Sequence, residues 1–478
     1  METTLVVPET DVLARQLHTI FEQQLAHTAV VRKTTAAQRK EKLRHLRRWM
    51  TDNQAAIHEA LRLDFGKSET ETDISEIYNT QIEIDHAVRH LSRWMRPKRV
   101  GTPLVLIGTQ SQVIYEPKGV ALIISPWNYP FYLLVGPLVS AIAAGCCVVL
   151  KPSEMTPHTS ALAKRMAAEL FDPQEITVVE GDASVATALL KLPFHHIFFT
   201  GSPQVGKIVM RAAAENLASV TLELGGKSPC IVDETAAIAD AAEKITIGKF
   251  LNAGQTCIAP DYVLVHESRQ AELVQAIRQV IERFYGNNPE QSPDLARIIN
   301  AKHLNRLRNM VSDAVAKGAT VVTGGIANEA TNYLSPILLT QVTPDMQVMK
   351  EEIFGPVLPI LTYRDHNEAI RFVNERDKPL ALYMFSRDQS TIDSVLGQTS
   401  AGGVSVNECL MHILQPNLPF GGVNNSGVGK AHGFYGFTAF SNEKGVLRQR
   451  IGLTNYKALY PPYTPTVKRL TQLLLRWL

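Results

Sequence analysis

Short, uniformly apolar runs separated by helical stretches dominate the chain from residue 113 onward: Gly119-Val-Ala-Leu-Ile-Ile-Ser, Cys146-Cys-Val-Val-Leu, Ile176-Thr-Val-Val and His196-Ile-Phe-Phe-Thr. Apolar residues at consecutive positions predict strands covered on both faces, as in a parallel sheet built from βα units. A second series opens at Tyr262-Val-Leu-Val-His and continues through Ala319-Thr-Val-Val-Thr and Val357-Leu-Pro-Ile-Leu. Two α/β domains are therefore expected. Before residue 80 the pattern is helical, with Leu43, Leu46, Trp49 and Met50 in an apolar stripe among Arg39, Lys40, Lys42, Arg44, Arg47 and Arg48. Long basic side chains commonly cover helix surfaces, so this cluster is expected to be a solvated outer face.

Composition changes this picture little. With 478 residues, 45% hydrophobic and 20% charged, the chain can form two or three domains with full cores. Lys+Arg (48) and Asp+Glu (46) nearly cancel. The small net charge disfavours nucleic acid and points to a small-molecule partner. The five cysteines (Cys146, Cys147, Cys230, Cys257 and Cys409) are odd in number and form no C-x-x-C pair. That argues against a disulfide scaffold and against a metal site, and for a reducing, cytoplasmic setting. Met-Glu-Thr-Thr-Leu-Val-Val-Pro at the start lacks the character of a secretory leader, and no apolar run of about 18 residues is present.

One cysteine stands apart. Cys257 ends Phe250-Leu-Asn-Ala-Gly-Gln-Thr-Cys257, and a flexible polar turn leading into a cysteine suggests a thiol displayed for chemistry. Alone, such a residue is more often an inert core thiol. Its company matters: Glu223 in Glu-Leu-Gly-Gly and Asn128 in Pro-Trp-Asn-Tyr-Pro lie upstream. Glu223 and Cys257 also fall near the junction of the two domains, where clefts are common.

Further motifs are individually weak. His196-Ile-Phe-Phe-Thr-Gly201-Ser-Pro-Gln-Val-Gly206-Lys-Ile208 reads as strand, turn and helix, and a helix start can face a phosphate. It misses the middle glycine of G-x-G-x-x-G, and Ile208 replaces the hydroxyl of a P-loop, so a plain turn is an equal reading. Lys151-Pro-Ser-Glu154 should lie at the carboxyl edge of a sheet, able to hydrogen-bond a ribose. Glu351-Glu352-Ile-Phe354-Gly-Pro356 sets a carboxylate beside a ring, fit for a second ribose or merely an anchored loop. Pro419-Phe420-Gly-Gly-Val-Asn-Asn-Ser-Gly427 is either a connection or a loop bringing Phe420 to a substrate pocket.

Taken in order, Pro-Trp127-Asn128-Tyr-Pro, Lys151-Pro-Ser-Glu154, Phe-Thr-Gly201-Ser202, Glu223-Leu-Gly-Gly, Gly254-Gln-Thr-Cys257, Glu352-Ile-Phe354-Gly-Pro and Pro-Phe420-Gly-Gly resemble the aldehyde dehydrogenase superfamily across nearly the whole chain. Trp94-Met-Arg-Pro-Lys-Arg-Val and Gly136-Pro-Leu-Val-Ser-Ala-Ile-Ala-Ala-Gly are similar to its class 3, or fatty aldehyde, branch. The resemblance implies an α/β fold with a variant Rossmann cofactor domain (1–85 and 108–226), an α/β catalytic domain (227–425) and a small oligomerisation element (86–107 and 426–455). A homodimer is the class 3 expectation.

The implied reaction is NAD(P)-dependent oxidation of aldehydes, medium- to long-chain or otherwise apolar, to carboxylic acids. Cys257 is expected as the nucleophile forming a thiohemiacetal and then a thioester, Glu223 as general base, and Asn128 with the Cys257 N–H as oxyanion donors. Lys151 and Glu154 would contact the adenosine ribose, Ser202 the pyrophosphate, and Glu352 the nicotinamide ribose. Trp127, Gly201, Gly225 and Phe354 complete the expected cofactor site. Gly225 and Gly226 would serve either a close approach or a positive φ. Glu154 favours NAD, because a carboxylate repels the 2′-phosphate of NADP, although the branch includes users of both. Many relatives carry a relay lysine where this chain aligns Pro137, so that relay is absent. Acyl transfer to coenzyme A is the alternative, disfavoured by Glu223. A non-catalytic binding protein is a distant second alternative.

Residues 456–478 form a tail. Val467-Lys-Arg-Leu470-Thr-Gln-Leu473-Leu474-Leu-Arg-Trp477-Leu478 predicts an amphipathic helix with a basic side, after Tyr460-Pro-Pro-Tyr463. The pattern alone allows peripheral contact with a membrane or simple docking on this chain or a partner, and the resemblance to fatty aldehyde dehydrogenases implies a helix that gates a substrate funnel.

Overall fold

The computed structural model describes residues 9–103, 106–452 and 455–477. The N-terminal octapeptide read above for leader character, and Leu478 of the tail, lie outside them.

Six strands form the first sheet, in the spatial order Gly427–Val428, Ser219–Leu224, His196–Gly201, Val120–Ile124, Cys147–Lys151 and Ile176–Val178. All pair in parallel except the edge strand Gly427–Val428. Burial on both faces explains the apolar runs. Ala121 and Ile123 pack into a large core shared with the N-terminal helices, while Val120, Leu122 and Ile124 pack with Phe21, Phe194 and Phe199 on the other face.

The second sheet has seven strands, ordered Thr320–Thr323, Ile337–Thr340, Val357–Tyr363, Tyr262–His266, Pro229–Val232, Ala381–Phe385 and Gly403–Val406. It departs from a wholly parallel series at one edge, where Thr320–Thr323 runs antiparallel to Ile337–Thr340. The reason lies in the 324–336 connection, which carries no crossover helix and so cannot return the chain to a parallel start. A third, antiparallel sheet joins Lys98–Val100, Thr109–Pro117 and Ser441–Gln449.

The basic helix corrects one expectation. Helix Ala36–Asp52 begins with a Thr35–Gln38 capping box, and its Leu43, Leu46, Trp49 and Met50 are buried as the stripe predicts. Arg39, however, is buried rather than solvated. Its Nη1 donates to the carbonyls of Ala143 (2.9 Å) and Ala144 (2.6 Å). These are C-terminal carbonyls of helix Tyr132–Ala144, left without intrahelical partners and favouring a cation. Lys40, Lys42 and Arg47 are half-buried, with Lys42 paired to Glu175 and Arg47 to Asp85, whereas Arg44 and Arg48, both near Glu41, are exposed as expected.

The tail forms a helix over Pro465–Trp477. Leu470, Leu473 and Leu475 are exposed, with Val467 and Leu474 half-buried. Its apolar side is therefore largely uncovered in the single chain. Among the described residues, no helix is long and apolar enough to cross a membrane.

Parallel pairing brings the carboxyl ends of the first sheet into line: Ile124 lies beside Lys151, and Gly201 beside Leu224. The loops that follow carry Trp127–Asn128, Pro152–Glu154, Ser202 and Gly225–Gly226. The carboxyl edge is where α/β sheets present ligand-binding loops.

Candidate active site

Helix Ile238–Phe250 ends in a turn, Leu251–Gly254, that breaks ordinary backbone rules. Asn252 (φ 55°) and Ala253 (φ 52°) both occupy the left-handed region, a conformation that persists only when its surroundings enforce it. Gly254 also has positive φ (75°), and a Cβ there would collide with the Gly355 carbonyl.

A buried hydrogen-bond lattice supplies the enforcement. Asn252 Nδ2 donates to the carbonyls of Asn128 (2.8 Å) and Gln255 (3.2 Å). Gln255 Nε2 donates to the Asn252 and Arg297 carbonyls, both at 3.0 Å, and its Oε1 accepts from Ile299 N at 3.0 Å. Asn252 and Gln255 are both fully buried. The turn before Cys257 is thus polar but pinned, not flexible as the residue types suggested.

Asn128 belongs to the same lattice. Its Nδ2 donates to Gln255 O at 2.9 Å, engaging one of two amide hydrogens. Below it lies a wholly buried ion pair, Lys67 Nζ–Glu76 Oε1, 2.7 Å. Glu76 Oε2 accepts from Phe131 N and Tyr132 N, while Lys67 reaches toward Asn128 O (3.5 Å) and lies 4.2 Å from the centre of the Tyr129 ring. Removing one partner of such a pair strands the other charge at a cost of about 3–5 kcal/mol. The pair holds the Asn128 loop to the N-terminal helices.

Cys257 and Glu223 line a single cavity of about 320 Å³ whose other walls are mainly apolar, including Leu133, Leu380, Met411, Ile413 and Phe420. Pro137 is also on the wall and offers no titratable group. Glu223 is buried, with neither carboxylate oxygen hydrogen-bonded to the protein. Burial raises its pKa well above the usual carboxylate range, opposed by the Lys430 charge. The Cys257 thiol is pushed up to about 12, first by burial and then by Glu352 and Glu223, against the N–H groups of Cys257 and Ile258. That favours the protonated thiol at neutral pH.

Glu352 keeps partial exposure, yet its carboxyl is raised to about 8, first by desolvation and then by Asp261. The Gly226 N–H, Lys227 and Arg306 oppose that rise. Gly225 packs directly against it, since a Cβ there would overlap the Glu352 carboxylate. Neither Gly225 nor Gly226 has a positive φ, so close approach explains the glycine at 225.

The remaining predicted residues gather at the carboxyl edge of the first sheet. Lys151 is buried, donates to Pro152 O at 2.7 Å, and stands 3.7 Å from the exposed Glu154 carboxylate. Ser202 caps helix Pro203–Glu215 by accepting from Val205 N, and a Cβ at Gly201 would strike the Phe199 ring. Trp127 and Phe354 meet edge to face at 5.3 Å, with Phe354 held at φ 50°. These features fit a dinucleotide: a helix start behind a glycine-tight turn, a buried ammonium and a carboxylate above Gly225.

Sequence reasoning missed several residues of the site. Tyr132 Oη meets His432 Nε2 at 3.2 Å, and His432 Nδ1 lies 3.4 Å from Glu83 on the cavity wall. Lys67, Glu76 and Lys430 were missed as well. No local motif marks them, because each acts through a partner distant in sequence.

A sequence model of the aldehyde dehydrogenase family matches residues 9–446. The chain is 48% identical over 425 residues to the 4,4′-diaponeurosporen-aldehyde dehydrogenase of Staphylococcus aureus, covering 89% of this chain and 92% of that protein. It is 44% identical to aldehyde dehydrogenase family 3 member B3 of Mus musculus, covering 93% and 91%. A solved structure described as the substrate-bound state of Staphylococcus aureus AldH superposes with a TM-score of 0.92 at 44% identity, covering 96% of this chain and 99% of that one.

The electrostatics generate a test. Glu352 is ionised only above about pH 8, and in that form it opposes the Cys257 thiolate. Glu352→Gln should therefore speed iodoacetamide alkylation of Cys257 at pH 9.5 by about three- to tenfold, with little change at pH 6.5. Intact-mass kinetics report the rate; equal rates at pH 9.5 would show that Glu352 does not bear on the thiol.

Proposed function

The chain belongs to the aldehyde dehydrogenase family, resembles its class 3 branch and oxidises aldehydes, and from that premise we propose that the reaction runs through a covalent bond to Cys257. The observation carrying this reading is that Cys257 shares one apolar cavity with Glu223, a buried carboxylate with no protein partner. An aldehyde has no leaving group, so its carbonyl carbon must first become tetrahedral before hydride can depart.

In this reading Glu223 accepts the Cys257 proton, and the thiolate adds to the carbonyl carbon to form a thiohemiacetal. The free Asn128 amide hydrogen and the Cys257 N–H would face the new oxyanion, each worth ~3 kcal/mol in the barrier. NAD supplies the hydride acceptor, with NADP as the alternative. Loss of hydride leaves a thioester on Cys257. Glu223 gives the Cys257 proton up to solvent and then takes one from water, whose oxygen attacks the thioester carbon. The C–S bond breaks, the Cys257 sulfur takes the proton back from Glu223, and the carboxylic acid departs.

For the cofactor we assign Lys151 and Glu154 to the adenosine ribose, Ser202 and Gly201 to the pyrophosphate turn, and Glu352 with Gly225 to the nicotinamide ribose. Trp127 and Phe354 form an aromatic wall beside them. Exposed Glu154 favours NAD over its 2′-phosphorylated form. The six-stranded sheet serves as the cofactor domain (1–85 and 108–226), with its edge strand Gly427–Val428 lent by the later segment, and the seven-stranded sheet as the catalytic domain (227–425). The three-stranded sheet is the bridging element (86–107 and 426–455), with Thr109–Pro117 added to it because it pairs there with both neighbours. Its exposed edge strand Ser441–Gln449 suits homodimer formation.

The apolar cavity supports apolar aldehydes as substrates, and the Staphylococcus relative is named for one such aldehyde. Helix Pro465–Trp477, with Leu470, Leu473 and Leu475 exposed beside Lys468, Arg469 and Arg476, would guide them from a membrane surface. Hydrolysis is favoured over transfer to coenzyme A because the base, Glu223, is in place.

Three experiments test this reading. Cys257→Ala should abolish NADH formation from an aldehyde while still binding NAD, and the wild-type product should be the free acid with or without coenzyme A. Turnover by Cys257→Ala would reject the nucleophile; an acyl-CoA product would reject the hydrolytic outcome. Deleting the residues after Tyr463 should lower kcat/KM for dodecanal about tenfold more than for butanal, the worth of roughly two buried methylenes. An equal loss for both would remove the tail from substrate guidance.

A further inference from the structure

Glu223 lies beneath a hairpin whose two arms meet over it. Phe420 and Ala431 bridge the arms, with Ala431 N donating to Phe420 O at 2.7 Å and Phe420 N to Ala431 O at 3.3 Å. Between them, Gly427 pairs with Glu223 itself and Val428 with Leu222. Gly421 sits against the carboxylate: a Cβ there would be 2.7 Å from Glu223 Oε1 and 3.2 Å from Lys430 Cδ. Lys430, on the returning arm, donates from Nζ to Gly421 O (2.5 Å) and Gly422 O (3.2 Å). It therefore clamps the turn that covers Glu223, while its partial exposure connects that turn to solvent.

We propose that Lys430 is a positioning residue for thioester hydrolysis: it fixes the Gly421–Gly422 turn over the Glu223 carboxylate and holds a positive charge beside it, keeping Glu223 in the form that accepts a proton from water. The inference rests on the reading of Glu223 as general base. The other titratable groups facing this carboxylate are Cys257 and Tyr132, with Glu352 beyond Cys257. Both near neighbours are held in their neutral forms by burial, so neither supplies a compensating charge. Among the described residues Lys430 is the one charge acting against the desolvation of Glu223, and Glu223 in turn favours the Lys430 ammonium. The two do not form a contact ion pair, since the Glu223 oxygens accept no hydrogen bond. The ammonium acts across the Gly421 backbone, in a setting where a unit charge counts for more than in water. Sign follows directly: without this charge the carboxyl binds its proton more tightly, and hydrolysis requires a higher pH.

The test is the rate of acyl-enzyme decay between pH 6 and 10, measured by rapid acid quench and intact mass after mixing enzyme with hexanal and NAD. Lys430→Gln can still donate to the two carbonyls but carries no charge. It should move the acid-side midpoint of decay upward by about one pH unit, a tenfold slowing below the midpoint, with the adduct still formed. Lys430→Arg should bring the midpoint back toward that of the wild type. An unmoved midpoint in Lys430→Gln, or an equal displacement in Lys430→Arg, would overturn the proposal. Glu223→Gln, acylated at pH 10, where hydroxide can take the Cys257 proton in place of the carboxylate, and then returned to each lower pH, separates the two readings. Decay at the wild-type rate in Glu223→Gln would reject the base itself, whereas blocked decay there with an unmoved Lys430→Gln midpoint would reject only the role of Lys430.

Discussion

Hydrogen bonds between two loops, one from each main sheet, hold Cys257 in place. The Asn128 loop follows a central strand of the six-stranded sheet; the Asn252–Gln255 turn precedes a central strand of the seven-stranded sheet. Asn128 and Asn252 each bond across the junction, and Gln255 satisfies both of its ends inside it. Two residues in left-handed conformation are held by this lattice. Without it the turn would relax, and Cys257 would lose its fixed position relative to Glu223 and Asn128. The buried Lys67–Glu76 pair extends the same constraint to the N-terminal helices.

Burial then governs the chemistry. Cys257, Glu223 and Glu352 are all driven toward their uncharged forms by desolvation, and negative charge on Glu352 or Glu223 further raises the proton affinity of Cys257. That arrangement suits a sequence of steps in which a proton leaves a thiol and later leaves water, with one carboxylate receiving both. It also explains why the distribution of nearby cations matters. Lys227 and Arg306 serve Glu352, and Lys430 serves Glu223.

Much of this was legible from residue pattern alone. Runs such as Val120–Ile124 and His196–Gly201 announce themselves because burial on both faces demands apolar residues at every position. Cys257, Glu223 and Asn128 stand out because each sits in an unusual local context, and the structure puts Cys257 and Glu223 on one cavity. What pattern did not reveal depends on partners far along the chain. Arg39 reads as one more surface cation until the end of helix Tyr132–Ala144 is placed against it. Thr320–Thr323 looks like its parallel neighbours because strand direction is set by the connection rather than by composition. His432 carries no periodic or motif signal, and its meaning comes from Tyr132 and Glu83.

The central claim, that oxidation passes through a covalent bond to Cys257, is tested most directly by locating the bond. Enzyme mixed with hexanal and NAD, quenched in acid within milliseconds and digested for peptide mass mapping, should carry one hexanoyl group on the peptide containing Cys257. No acyl adduct on any peptide during turnover, or an adduct on Cys146, Cys147, Cys230 or Cys409 instead, would contradict the account.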